Sequence, residues 1–131
     1  MTLPPYAATL GLTLEAGEGA PVLLMPFAND VMGRPGFLHG GALAGLLELA
    51  ALSALEHALA AEGRGEASFK PVNVTVDFMR GGREKLTRAQ GIILRLGSRV
   101  ANLAAIAWQD SRDRPVAAAR INFLISPSAS A

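Results

Sequence analysis

Residues 40–62 read GGALAGLLELAALSALEHALAAE, and this stretch decides how the rest of the chain can fold. Ala, Leu and Glu, the strong helix formers, fill most of it. No Pro interrupts it, and Gly63 and Gly65 follow where glycine commonly stops a helix. The pattern predicts one long helix from Gly40 to Glu62. Its run from Leu38 to Leu55 is apolar enough to raise the question of a membrane span. However, His39 and Glu48 lie within that run and Glu56 and His57 follow it, so the uninterrupted pieces are shorter than a bilayer crossing needs. A buried helix is expected, and no membrane partner.

The flanking segments read as strands and turns. Pro4 and Pro5 open a segment through Leu10 with room for one or two helical turns. Leu12–Glu15 and Pro21–Phe27 form two short strands around the turn Gly17-Glu18-Gly19. The stretch Ala28–Leu38, holding Asn29, Asp30, Gly33, Pro35 and Gly36, is a loop. Beyond the helix, Val72–Met79 alternates. Val72, Val74, Val76 and Phe78 fall on one face and Asn73, Thr75 and Asp77 on the other, the period of a half-buried strand. Leu86–Leu96, Val100–Gln109 and Val116–Ile125 are three further strands, separated by Gly97-Ser98 and by a turn at Asp110–Pro115. The tail Ser126–Ala131 is small and polar. Read in order, this is two short strands, one helix and a meander of four strands. Consecutive hairpin-joined strands give an antiparallel sheet, and a single apolar helix must pack on one face of it. The expected class is α+β, with a curved antiparallel sheet wrapped around one central helix, which is the arrangement of the hotdog fold.

Bulk properties bound the partners. The chain has 131 residues, enough for one domain spanning 1–131. Half of it is hydrophobic and only 18% charged, so an oligomer is expected to cover part of the apolar surface. Twelve Lys and Arg against eleven Asp and Glu leave a net charge of +1, with nothing to attract nucleic acid. The absence of cysteine excludes thiol nucleophiles and cysteine metal sites. Met1–Leu14 lacks a basic region and a long apolar core, so no signal peptide is expected and the default location is the cytoplasm.

One residue breaks the apolar pattern of the helix. From Gly40 to Leu55 the only ionisable side chain is Glu48. The positions sharing its face are Gly41, Ala44, Gly45, Ala51, Leu52 and Leu55, all small or apolar. A lone carboxylate in such surroundings is costly to bury. It either pairs with an Arg or caps something, points to solvent on an exposed strip, or serves a cleft as a functional group. The small residues beside it leave room for a ligand or a second chain. Upstream, the glycines at 33, 36, 40 and 41 bracket the point where loop becomes helix. Backbone N–H groups there lack intrahelical partners and carry partial positive charge. An oxyanion needs donors of that kind. His39 either caps the helix or packs in the core through a backbone hydrogen bond, or else it sits at the lip of a site. His57, near the helix C-terminus, reads as structural or solvated.

The segment Gly36-Phe37-Leu38-His39-Gly40-Gly41, with Glu48 nine positions after the His, resembles the motif of hotdog-fold acyl-CoA thioesterases of the phenylacetate-pathway type. The element order agrees over most of the chain. The resemblance implies hydrolysis of an acyl-CoA without metal or redox cofactor. Glu48 would be general base or nucleophile, the Gly40 N–H would polarise the thioester carbonyl, and His39 would shape the loop. Gly41 and Asn29 would border the substrate. It also implies a homodimer with shared sites, its sheets joined edge to edge, and dimers paired into a homotetramer. Many members carry Asn or Gln six residues before the His. Gly33 stands there in this chain, with Asn29 and Asp30 nearby to take that role. Arg80, in Phe78-Met79-Arg80-Gly81-Gly82, resembles a residue bordering the site. Arg99, in the turn Leu96–Val100, resembles one near the coenzyme A phosphates, and a guanidinium suits phosphate geometry. The rival readings are a hotdog dehydratase or hydratase, and a hotdog protein that binds acyl-CoA without cleaving it.

Overall fold

The computed structural model describes residues 3–127; of the small polar tail, residues 128–131 lie outside that range. The elements run α1 (Tyr6–Thr9), β1 (Thr13–Glu15), β2 (Val22–Met25), a 3-10 turn (Asn29–Val31), α2 (Gly40–Ala61), β3 (Ser68–Phe78), β4 (Thr87–Leu96), β5 (Val100–Trp108) and β6 (Ala117–Ser126). All six strands join one antiparallel sheet in the order β1-β2-β4-β5-β6-β3. With α2 held against one face, this is the hotdog fold that the element order predicts.

The meander is shorter than expected. β4, β5 and β6 follow one another as neighbours, but β3 pairs with β6 at the far edge, from Ser68 opposite Ser126 to Phe78 opposite Ala117. β4 pairs instead with β2. The edge suits β3, because Pro71 has no N–H to offer a second neighbour. Its register also slips between Pro71 and Asn73, so the predicted apolar face is broken. Val74, Val76 and Phe78 oppose Ile121, Ala119 and Ala117, which point toward the helix, whereas Val72 falls in the bulge. A second bulge lies between Ile93 and Arg95 in β4. Bulges of this kind bend a strand and increase its twist.

Helix and sheet meet closely because the contact is made of small residues. Ala89, Ala101, Ala105, Ala107, Ala117 and Ala119 are buried on the inner face of the sheet. At Gly91 a Cβ would lie 2.6 Å from the Ala50 carbonyl oxygen and 2.8 Å from the Ala51 Cα. The helix backbone therefore rests on the strand backbone itself. Leu46, Leu47, Leu55, Leu103, Ile121 and Phe123 fill the core around this seam, and Phe69 meets Phe123 edge to face with centroids 6.0 Å apart. By length and hydropathy α2 could cross a membrane, but most of it is buried in this core. It packs mainly on β4, β5 and β6 and reaches little of β3. Val74 and Phe78 thus remain 37% and 57% exposed although they point inward. On the opposite, convex face, Asn102 donates to Asn122 Oδ1 (2.6 Å) and Asn122 to Asn73 Oδ1 (2.8 Å), linking β5, β6 and β3.

Candidate functional site

The loop before α2 is pinned rather than loose. The Gly33 N–H donates to the Phe37 carbonyl (2.9 Å), the His39 N–H to the Val31 carbonyl (2.8 Å) and the Leu38 N–H to the Gly82 carbonyl (2.9 Å). Met32 and Leu38 form a bridge. A Cβ on Gly33 would come within 3.1 Å of the His39 Cα. Glycine therefore fits here, and a side chain at this position would need the backbone at His39 to give by a few tenths of an ångström.

His39 caps α2. Its backbone is extended, and its Nδ1 accepts the Gly41 N–H at 2.8 Å, satisfying one of the four donors that a helix start leaves open. The ring lies directly over Gly41, where a Cβ would be 2.9 Å from the imidazole. The Gly41 N–H is thereby committed. The Gly40 N–H, by contrast, has no hydrogen-bond partner among the described residues. Gly40 lines a cleft of about 380 Å³ with Arg34, Phe37, Leu43, Phe78 and Arg80, and the Phe78 ring rests on it, 3.4 Å from where a Cβ would stand.

Glu48 is half-buried, without hydrogen bond or ion pair among the described residues. It lies on the strip of α2 that the sheet leaves uncovered, with Gly41 exposed and Ala44, Gly45 and Leu52 half-buried, while Ala51 and Leu55 turn into the core. Of the alternatives left open by the sequence, pairing with an Arg and capping are both absent there. The room expected beside Glu48 is partly taken by the chain itself. The imidazole of His39 covers Gly41, and Tyr6 of α1 lies against Gly45, where a Cβ would be 2.6 Å from its ring.

Eight residues separate Gly40 from Glu48, about 12 Å of helix rise, and Glu48 does not line the Gly40 cleft. Asn29 is exposed in the 3-10 turn and does not line it either. Arg99 lies at the other end of the molecule, beyond the C-terminus of α2. There it lines a cavity of about 1200 Å³ with Ala60, Arg64 and Ile125. Gly40 and Arg80, with His39 and Gly41 at the adjoining helix start, thus form one cluster, apart from Glu48, Asn29 and Arg99. Three features were missed in the sequence: Tyr6 over the uncovered strip, Phe78 on Gly40, and Phe37 under the guanidiniums of Arg34 and Arg83, 4.1 and 4.3 Å from the ring centroid. Only the interior glycine Gly45 hinted at a close contact. Among the described residues no three His, Asp or Glu side chains gather as a metal site would require.

The sequence profile of the thioesterase superfamily matches residues 35–124, which includes the capping loop, α2 and β3 to β6. No curated protein matches the sequence. Among solved structures, a protein from Chromobacterium violaceum is 34% identical, with a TM-score of 0.71 over 92% of this chain and 82% of its own. A thioesterase from Haemophilus influenzae shares the fold at 18% identity, with a TM-score of 0.81 over 93% of this chain and 82% of its own. So does a putative thioesterase from Ralstonia eutropha, described as phenylacetic acid degradation-related, at 23% identity, with a TM-score of 0.77 over 95% and 92% of the two chains.

Proposed function

The chain belongs to the thioesterase superfamily, and from that premise we propose that it hydrolyses an acyl-CoA to a free carboxylic acid and coenzyme A. The observation that carries this reading is a pair of uncommitted groups on one rigid helix: the Gly40 N–H at its start and the Glu48 carboxylate two turns on. The thioester carbonyl oxygen accepts from the Gly40 N–H, where the helix dipole favours the negative charge that develops on attack. Glu48 takes a proton from a water molecule as its oxygen adds to the carbonyl carbon, or attacks that carbon itself. The carbon–sulfur bond then breaks, and the thiolate of coenzyme A leaves with the proton that Glu48 took from water; on the direct route it takes a proton from solvent, and water then hydrolyses the mixed anhydride to release the acid and free Glu48.

A carbonyl within hydrogen-bond reach of Gly40 is about 12 Å of helix rise from Glu48 of the same chain, so the two act together when Glu48 comes from a partner. Beyond Pro71 and its bulge, Asn73–Phe78 of β3 has an open edge and exposed Val74 and Phe78, which suits edge-to-edge pairing with a second copy. In this reading the chain is a homodimer with shared sites, its dimers pair into a homotetramer, and it works in the cytoplasm. His39 holds the helix start, Gly41 borders the substrate, and Arg80 faces the coenzyme.

The test is a thiol-release assay on short, long and aromatic acyl-CoAs. Wild-type turnover is expected, falling by orders of magnitude in Glu48→Gln with the melting temperature held. Full turnover in Glu48→Gln overturns the assigned role. No turnover of any thioester by folded wild type overturns hydrolysis and leaves binding of intact acyl-CoA as the activity.

A further inference from the structure

We propose that four arginines beside the Gly40 cleft, Arg34, Arg80, Arg83 and Arg114, form the seat for the phosphates of coenzyme A's nucleotide end. The proposal rests on the thioesterase reading and adds to it which end of the molecule holds the coenzyme. The Gly40 cleft shares Arg80 and Gly81 with a second cleft of about 190 Å³ that extends from it past Arg83, Lys85 and Arg114. Five cations line the two clefts against a single carboxylate, Asp110, and Lys85 occupies that carboxylate at 2.8 and 3.0 Å. Among the described residues the four guanidiniums have no carboxylate within ion-pairing distance. Uncompensated like charges lining one concave surface raise its potential, and they favour an anion with several negative oxygens.

Two of these charges, Arg34 and Arg83, are also held in position. Arg34 and Arg83 both stack on Phe37. That ring is wedged against the backbone of Gly81, where a Cβ would be 2.8 Å from it. The loop carrying Arg83 is fastened by Gln109. Its Oε1 accepts the Arg83 N–H (2.9 Å), and its Nε2 donates to the Arg83 carbonyl (3.0 Å) and to the buried Thr87 hydroxyl (3.1 Å). Guanidiniums fixed before binding lose less conformational freedom when they take up a phosphate. The cavity at the other end of α2 offers less. Arg64 there is already bound by Glu62 and the Ser98 carbonyl, both at 3.1 Å, which leaves Arg99 as its one unpaired guanidinium among the described residues.

The experiment is calorimetric titration with adenosine 3′,5′-bisphosphate, which carries coenzyme A's nucleotide phosphates but no thioester. Wild type is expected to bind it, with affinity falling steeply as salt rises. The Arg83→Ala/Arg114→Ala double variant, checked for an unchanged melting temperature, is expected to bind at least about tenfold more weakly. The exposed single variant Arg114→Glu is expected to weaken in the same direction, and Arg99→Ala to bind as wild type does. A parallel assay compares acyl-CoA with the acyl-pantetheine that lacks the nucleotide. The double variant is expected to raise KM for the first about tenfold more than for the second. The proposal is overturned if wild type does not bind the bisphosphate, if both cluster variants bind it undiminished, or if Arg99→Ala alone abolishes binding. Bisphosphate binding with no thioester cleaved would overturn the hydrolytic reading while this site stands.

Discussion

At the scale of single residues, His39, Gly40 and Gly41 divide the work of one helix start. The imidazole takes the Gly41 donor, and the Gly40 donor stays open. Replacing His39 by Ala removes the cap and should lower stability by about 1 kcal/mol, read as a lower denaturant midpoint. Gly40→Pro is the sharper test of the proposed oxyanion donor, because it removes the N–H without unwinding the helix start, and its added Cβ meets the Phe78 ring at an ordinary 3.4 Å. Proline is well placed at the first helical position, and His39 before it already has the extended backbone that proline demands (φ −72°, ψ 134°). Turnover should fall by about 10²- to 10³-fold with the melting temperature held or raised, as a paired assay and melt would record. Glu48 was legible because it is the lone ionisable residue in its window. The capping of His39 was legible as one of two readings. Tyr6 over Gly45 was not, because contacts between elements far apart in sequence leave no local periodicity.

At the scale of elements, the helix was readable to within a residue of its observed end, since composition and flanking glycines agree with each other there. The strands were readable as strands but not as neighbours. β3 alternates whether it pairs with β4 or β6, and only the rest of the sheet decides between them. Pro71, which lies outside the strand read from Val72, marks the edge only once β3 is seen to begin at Ser68. The seam at Gly91 was equally hidden, because a glycine in a strand pattern marks a close approach without saying of what. Here it is the backbone of α2, which cannot move aside as a side chain could. Gly91→Ala should therefore lower stability by about 2 kcal/mol and the melting temperature by several degrees. Gly17→Ala, at a position with nothing within 4 Å, should leave both within error in the same scans.

At the scale of the molecule, the apolar composition predicted a covered surface, and the fold leaves the inner face of β3 uncovered for it. Which edge stays open depends on the strand order, and local pattern does not carry that order. A charge on this edge should oppose the proposed pairing. Val74→Lys should halve the mass seen by sedimentation and take thioester turnover with it, while the fold survives because Val74 is already partly exposed. The distance between Gly40 and Glu48 along a single helix has a further consequence for a symmetric pair. Each chain lends its donor to one site and its carboxylate to the other. Gly40→Pro and Glu48→Gln chains, each inactive alone, would then combine on mixing into heterodimers in which one site carries both lesions and the other carries neither. Subunit exchange between two dead proteins should restore about a quarter of wild-type turnover, whereas sites confined within single chains would stay silent however long the mixture stands.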